Sequence, residues 1–283
     1  MRVRSTIVTG AGAGLGAAFA KAIAADGSSV LVNNRRHQDR PYPAEEVSSA
    51  IRADGGTAAT DEHAVDLDGG PEAIVDAALQ RFGGLDALVL NAGISGPAIK
   101  VGDGDTELRQ VLEINFFANA RLIEAALPHL RRSSSARIVV ISSTGGLHGV
   151  RGRSAYAASK GAVTAYALSL ADELRRDAIH VNVLAPYAHT KMTDRPGRAP
   201  DPRMAPEGAA AICAWLAGEA CDRTGEIWVA GGGHVRAAKA MESRAAPFGP
   251  ARLDALAAMP APRGFDGGEA AFADFYQDAF GED

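Results

Sequence analysis

The amino-acid sequence predicts an α/β protein: one Rossmann-type, doubly wound domain whose seven-stranded parallel sheet carries helices on both faces, followed by a C-terminal extension. Three observations point there. Apolar runs of strand length alternate with helical patterns from the start, which is the mark of βαβ units buried on both faces. A glycine-rich turn, Gly10-Ala11-Gly12-Ala13-Gly14-Leu15-Gly16, directly follows the first strand and opens a helix. The chain has 283 residues, 47% of them hydrophobic, and no Pro/Ser/Gly-rich linker interrupts its first two thirds, so one full core is expected.

In order, the strands are expected over 6–9, 29–33, 57–65, 87–91, 137–142, 180–184 and 226–230. Helices are expected over 15–26, 44–53, 71–82, 106–130, 154–177 and 206–217. Pro71 and Pro206 suit first helical turns, and Pro128 is expected to end or kink its helix. Right-handed crossovers bring the carboxyl ends of the strands to one edge, where ligands of such sheets bind. The dinucleotide-binding domain is read as 1–233. From 234 to 283 runs an Ala/Pro/Gly-rich tail ending in Phe272, Phe275, Tyr276 and Phe280, aromatics at helical spacing that fit a short helix packed on the body or on a neighbouring subunit.

Composition removes several classes of function. A net charge of −5 and the lack of a basic stripe argue against nucleic acid as a partner. Cys213 and Cys221 cannot build a disulfide framework and have no metal-ligand spacing, so no metal is expected. The N-terminus runs from two arginines straight into a strand without a signal-peptide pattern, and no apolar run reaches the ~18 residues of a membrane span. A cytoplasmic location with no membrane partner is therefore the expectation.

The chemistry-bearing residues fall at the carboxyl edge. Glycines 10, 14 and 16 let the chain turn sharply and bring a helix N-terminus close to a pyrophosphate, although a ligand-free glycine turn would look the same. In Ser154-Ala155-Tyr156-Ala157-Ala158-Ser159-Lys160, Tyr156 and Lys160 lie four apart on one helix face. An ammonium near a phenol favours phenolate, which makes tyrosine usable as an acid/base; a surface tyrosine lying over a lysine stem is the plain alternative. Ser143 ends a strand at the same edge, and Asn115 is a polar residue in an otherwise apolar helical stretch, where it could equally bond its own helix.

Together, TGAGAGLG, Asp66-Leu67, Asn91-Ala92-Gly93, Asn115, Ser143 and the YAASK run resemble the short-chain dehydrogenase/reductase family in order and spacing over residues 3–233. Within it the chain is most similar to the (3R)-hydroxyacyl-CoA dehydrogenase part of peroxisomal multifunctional enzyme type 2 and to bacterial relatives of that part. Supporting stretches are the insertion after VLVNN, EIWVAGGGHVRAAKAMESR, and Pro186 to Thr193 where most of the family has Pro-Gly. The resemblance implies an NAD(P)-dependent enzyme that interconverts a secondary alcohol and a ketone. Tyr156 would move the proton, Lys160 would lower its pKa and hold the nicotinamide ribose, Ser143 would orient the substrate oxygen, and Asn115 would anchor a relay water. Gly10, Gly14, Leu15 and Gly16 would line the pyrophosphate, Asp66 and Leu67 the adenine, and Asn91, Ala92 and Gly93 the riboses. Pro186 and Thr190 would lie at the nicotinamide.

A 3-hydroxyacyl-CoA/3-oxoacyl-CoA pair is the substrate this implies, with a steroid or other bulky hydroxy/keto compound as the alternative. A non-catalytic dinucleotide sensor, or a scaffold using the aromatic tail, is the reading from another class. Relatives usually form tetramers or dimers through the long helices, so a homo-oligomer is expected. Leu90 and Tyr187 depart from the family pattern without removing a catalytic group, and Tyr187, His148 and His189 would lie near the pocket mouth. In Asn33-Asn34-Arg35-Arg36-His37-Gln38-Asp39, Asn34 stands where the resembled dehydrogenases carry an acid against the ribose hydroxyls. Asn34 repels no 2′-phosphate and the Arg35 guanidinium can clamp one, so NADP(H) is favoured and NAD(H) stays open, with Asp39 able to restore it.

Overall fold

The computed structural model describes residues 2–36, 41–98, 106–190, 199, 201–246, 256–259 and 261–280. Strands β1 (Ser5–Val8), β2 (Ser29–Asn33), β3 (Ala58–Asp61), β4 (Ala87–Leu90), β5 (Arg137–Ile141), β6 (His180–Pro186), β7 (Ile227–Gly231) and β8 (His234–Ala238) form one sheet in the order β3-β2-β1-β4-β5-β6-β7-β8. The first seven are those expected, and all pair in parallel. Strand order reverses between β1 and β4, and this opens a crevice beyond their carboxyl ends. The eighth strand was not expected. It follows a two-residue turn, Gly232 and Gly233 at φ 58° and 75°, which reverses the chain, and its side chains are almost all exposed, so no apolar run marks it.

Helices α1 (Gly14–Ala25), α2 (Pro43–Ala53) and α8 (Glu207–Ala217) cover one face with a core that includes Phe19, Val30, Val89, Leu184 and Leu216. On the other face α3 (Gly70–Phe82) packs with α5 (Ala118–Leu130), and α4 (Thr106–Leu112) packs with α7 (Ser154–Glu173). A short helix, α6 (Thr144–His148), links β5 to α7. Proline positions follow the sequence reading: Pro71 lies in the first turn of α3, Pro206 caps α8, and the helix holding Pro128 ends two residues on at Leu130.

Three elements differ from their expected form. β3 stops at Asp61, well short of 65, because the Asp61 carboxylate takes hydrogen bonds from Asn33 Nδ2 (2.6 Å) and the His63 backbone N–H (3.3 Å), which turns the chain. The helix expected over 106–130 passes through a π turn, Glu113–Phe117, between α4 and α5. The helix expected to 177 ends at Glu173 and continues as a 3-10 turn, Arg175–Asp177, closed by Ala178 at φ 54°.

The chain divides into two compact units, Met1–Arg236 and Ala237–Asp283. In the second, Glu242 bridges to Arg263, which pairs with Asp274 and Asp278, and Asp278 also takes Arg244. Helix α9 (Gly268–Phe280) carries the four tail aromatics at the expected spacing, and Phe272, Phe275, Tyr276 and Phe280 are all exposed.

Candidate active site

The ends of β1 and β4 are stitched together beneath the glycine turn. Thr9 Oγ1 accepts from the backbone N–H groups of Asn91 and Ala92, both at 3.0 Å, while Asn91 Nδ2 donates to the carbonyls of Thr9 (2.9 Å) and Gly10 (3.2 Å). Gly10 and Gly14 take φ 62° and 55°, where a side chain is strained. A Cβ on Gly16 would fall 2.3 Å from the Gly10 carbonyl oxygen, so only glycine lets α1 start this close to β1. Leu15 packs on the core beside it. α1 opens at Gly14 with no side-chain cap and no acid in its first turn. Its first N–H groups and dipole therefore face the crevice ready for an anion, and the loop fits the pyrophosphate of a dinucleotide. Thr190 lies across the loop, its methyl 3.5 Å from where a Gly14 Cβ would be, and Pro186 closes β6 on the same edge.

At the end of β2, Asn34 sits against Gly12, whose added Cβ would come within 2.8 Å of its side chain. Arg35 is half exposed and stands 3.8 Å from Asp66, and Leu67 is 63% exposed beside them, an open apolar surface suited to covering a base. Arg36 instead pairs with Glu62 at 3.0 Å. His37, Gln38 and Asp39 lie outside the described residues, as do Lys191, Met192 and Thr193. Sequence reading did not single out Asp61, which is buried between Asn33 and the His63 ring (Nδ1 to Oδ1, 2.7 Å). Its strand was expected to run on to 65, so no local signal set this acid apart.

Ser143, Tyr156, Lys160 and Asn115 converge from β5, α7 and the π turn. Ser143 caps α6, with its Oγ accepting from the Gly145 N–H at 3.1 Å. A Cβ on Gly145 would touch both, at 3.4 Å from Ser143 Oγ and 3.8 Å from the Tyr156 ring. Burial raises the Tyr156 phenol above its ordinary value, opposed by the nearby Ser143 hydroxyl and by Arg153. Lys160, one turn on, is 5% exposed, and burial lowers it to about 8. Its Nζ donates to the Ile141 carbonyl at 2.6 Å. Burial is thus the leading cause of both shifts, and in this structure the Lys160 ammonium donates to a backbone carbonyl.

Asn115 is fully buried, and its amide is committed. Oδ1 accepts from the Ile94 N–H (2.8 Å), and Nδ2 donates to the Ile94 carbonyl (2.8 Å) and to Ser159 Oγ (2.9 Å). Gly93 leaves the space between it and the lysine, since a Cβ there would sit 3.0 Å from Asn115 Oδ1 and 3.7 Å from Lys160 Nζ. Ser142, not singled out from sequence, bonds the Lys160 carbonyl (3.0 Å) and Thr164 Oγ1 (2.6 Å), fixing this turn of α7 to β5. Leu90, where the family has a polar residue, is fully buried, and Tyr187 is 42% exposed. The arrangement can hold a dinucleotide along β1, β2 and β4 and present the Tyr156 phenol where the crevice meets α7.

Comparison with known proteins agrees with this architecture. The sequence pattern of the short chain dehydrogenases matches residues 4–199, so the chain belongs to the short-chain dehydrogenase family and is an oxidoreductase of the kind that uses a nicotinamide dinucleotide. More particularly, it is similar to a short-chain type dehydrogenase/reductase of Mycobacterium tuberculosis, 34% identical over 242 residues that cover 82% of this chain and 84% of that protein. It is also similar to peroxisomal multifunctional enzyme type 2 of Mus musculus, 31% identical over 241 residues, 82% of this chain but 32% of that longer protein. A crystal structure of a short chain dehydrogenase from Mycobacterium avium superposes with a TM-score of 0.78 at 32% identity, covering 90% of this chain and 94% of that one. Among the described residues, no helix is long and apolar enough to cross a membrane.

Proposed function

We propose that the chain interconverts a secondary alcohol and a ketone, with Tyr156 as the acid/base, Ser143 holding the reacting oxygen and Lys160 and Asn115 supporting the phenol. The observation that carries this is the convergence of Ser143 Oγ and the Tyr156 ring around Gly145, in a crevice that also holds a buried Lys160 one helical turn from Tyr156. Gly10, Gly14, Leu15, Gly16, Asn91, Ala92, Gly93, Pro186 and Thr190 would hold the nicotinamide dinucleotide, which would supply the hydride chemistry. Tyr156, protonated at neutral pH and raised further by burial, gives its proton to the carbonyl oxygen in reduction and takes it back in oxidation. Reduction accordingly holds through neutral pH and falls above the raised phenol pKa, whereas oxidation climbs with pH. Tyr156→Phe tests the assignment: turnover is expected to fall by roughly 10²–10⁴ or more while cofactor still binds. Turnover near the level of the unaltered chain would refute it.

The substrate we favour is a 3-hydroxyacyl-CoA/3-oxoacyl-CoA pair, supported by the similarity to multifunctional enzyme type 2 across 82% of this chain. Turnover of acyl-CoA thioesters compared with steroids and simple ketones, followed by nicotinamide absorbance, decides between this and a bulky hydroxy/keto substrate. For cofactor we favour NADP(H). The Arg35–Asp66 pair is half exposed and 3.8 Å long, so it is worth well under about 1 kcal/mol and yields readily to a phosphate. Exposed Phe117 at the end of the π turn and Leu168 on α7 support a homo-oligomer, and the free buried thiols Cys213 and Cys221 support a cytoplasmic location.

A further inference from the structure

Four residues beyond Asn115, in Glu113-Ile114-Asn115-Phe116-Phe117-Ala118-Asn119-Ala120, a second asparagine interrupts the apolar stretch. Asparagine is a poor helix former because its side chain competes for backbone bonds. Here both amides are buried, at 0% and 2% exposure. Asn115 spends its side chain on Ile94 and Ser159. Asn119 turns back on the π turn, and its Nδ2 donates to the Asn115 carbonyl at 2.7 Å. The amide cannot sit the other way round, since that would set its oxygen against a carbonyl oxygen. In this orientation Oδ1 has no hydrogen-bond partner among the described residues.

An unpaired buried acceptor costs about 1–3 kcal/mol, so a leucine of similar size would serve packing better than this asparagine. The benefit must lie elsewhere. A π turn displaces the backbone ladder by one residue and is commonly retained for function. The bond from Asn119 fixes the carbonyl at the centre of that turn. The same residue's side chain then clamps Ile94 on one side and Ser159 on the other. Ser159 precedes Lys160, whose Nζ lies with Asn115 Oδ1 around Gly93. The path from Asn119 to the buried lysine is therefore contiguous.

We propose that Asn119 is a positioning residue: by holding the Asn115 carbonyl it sets the π turn, and through Asn115 and Ser159 it sets Lys160, one helical turn from Tyr156. The inference rests on the roles assigned above to Asn115, Tyr156 and Lys160. Its test uses the full chain with Asn119→Leu and Asn119→Ser, the latter because a serine hydroxyl can also donate to the carbonyl one turn back. Asn119→Leu is expected to keep or raise Tm and to keep the Kd for NADPH. It is expected to lower kcat about tenfold with KM within about twofold, and to move the alkaline limb of the kcat–pH profile. Asn119→Ser is expected to return kcat to within about threefold of the unaltered chain. A readout without substrate accompanies these: the near-ultraviolet titration of Tyr156, taken as the difference from Tyr156→Phe, shifts in the leucine variant. Unchanged kcat and an unshifted titration in Asn119→Leu would overturn the proposal, as would serine failing like leucine. Failure of the underlying reading is distinguished by Tyr156→Phe itself, which would then keep its turnover whatever Asn119 does.

Discussion

The two edges of the sheet handle buried polar groups in opposite ways. At the amino-terminal edge, Asp86 takes Arg2 (2.9 Å), Ser133 Oγ (2.6 Å) and the Ser5 N–H (2.8 Å). Arg4 there donates to the carbonyls of Ala217 (2.6 Å) and Ser135 (2.8 Å), covering the C-terminus of α8, where a cation also suits the helix dipole. At the carboxyl edge the pattern reverses. Among the described residues Lys160 is buried without a carboxylate partner, the phenol of Tyr156 is desolvated, and the first turn of α1 carries no cap. Matched charges make the first edge a clamp for β1, β4, β5 and α8. Unmatched ones leave the second edge able to take up an anion and a reacting oxygen, at a cost in stability.

Removing the centre of the clamp is expected to have the largest effect on folding. Asp86→Ala strands Arg2, Ser133 and the Ser5 N–H and is expected to cost on the order of 3 kcal/mol in urea unfolding, with kcat of the folded fraction unchanged. Although burial pushes the Asp86 carboxyl up, Ser133, Arg2 and the Ser5 N–H together hold it below its ordinary value. Its contribution is therefore present above the unfolded pKa and lost as pH falls through the lower folded one, and the alanine variant should lack that acid limb.

A smaller change of opposite sign is expected at the other edge. Lys160→Met removes an ammonium whose burial lowers it from 10.5 to about 8. Near neutral pH the folded chain bears that desolvation, so the variant is expected to be about 2–3 kcal/mol more stable while losing turnover. The sign follows from proton counts: between pH 8 and 10.5 the unfolded lysine binds more protons than the folded one, so the natural chain gains stability as pH rises and the methionine variant does not. A destabilised Lys160→Met would mean that the bond to Ile141 outweighs the burial cost.

The smallest effect is expected at the rim. Arg35→Ala should shift the ratio of kcat/KM for NADP(H) over NAD(H) by about tenfold toward NAD(H), with stability unchanged. An unmoved ratio would assign the discrimination elsewhere.

How much of this was legible depends on the range of the interaction. Gly10, Gly14 and Gly16 could be read because the turn demands positive φ or the absence of a Cβ, a local requirement. Tyr156 and Lys160 could be read because a four-residue spacing fixes a shared helix face. The π turn could not, because inserting it leaves the apolar character of 106–130 intact, and Asn119 was overlooked with it. β8 was missed because a strand exposed along both faces leaves no period-two pattern.

What the sequence by itself determined is the doubly wound order of elements, the edge at which the polar motifs gather, and the family to which those motifs belong, since periodicity, turn chemistry and spacing are properties of neighbouring residues. Tertiary structure alone decided the partners: Lys160 with the carbonyl of Ile141, Arg35 with Asp66, Asn115 with Ile94 and Ser159, and Asn119 with the carbonyl of a bulged turn. Charge, burial and hydrogen bonding at those positions depend on what the fold brings alongside, so the pKa values that govern the chemistry became readable only once the chain was folded.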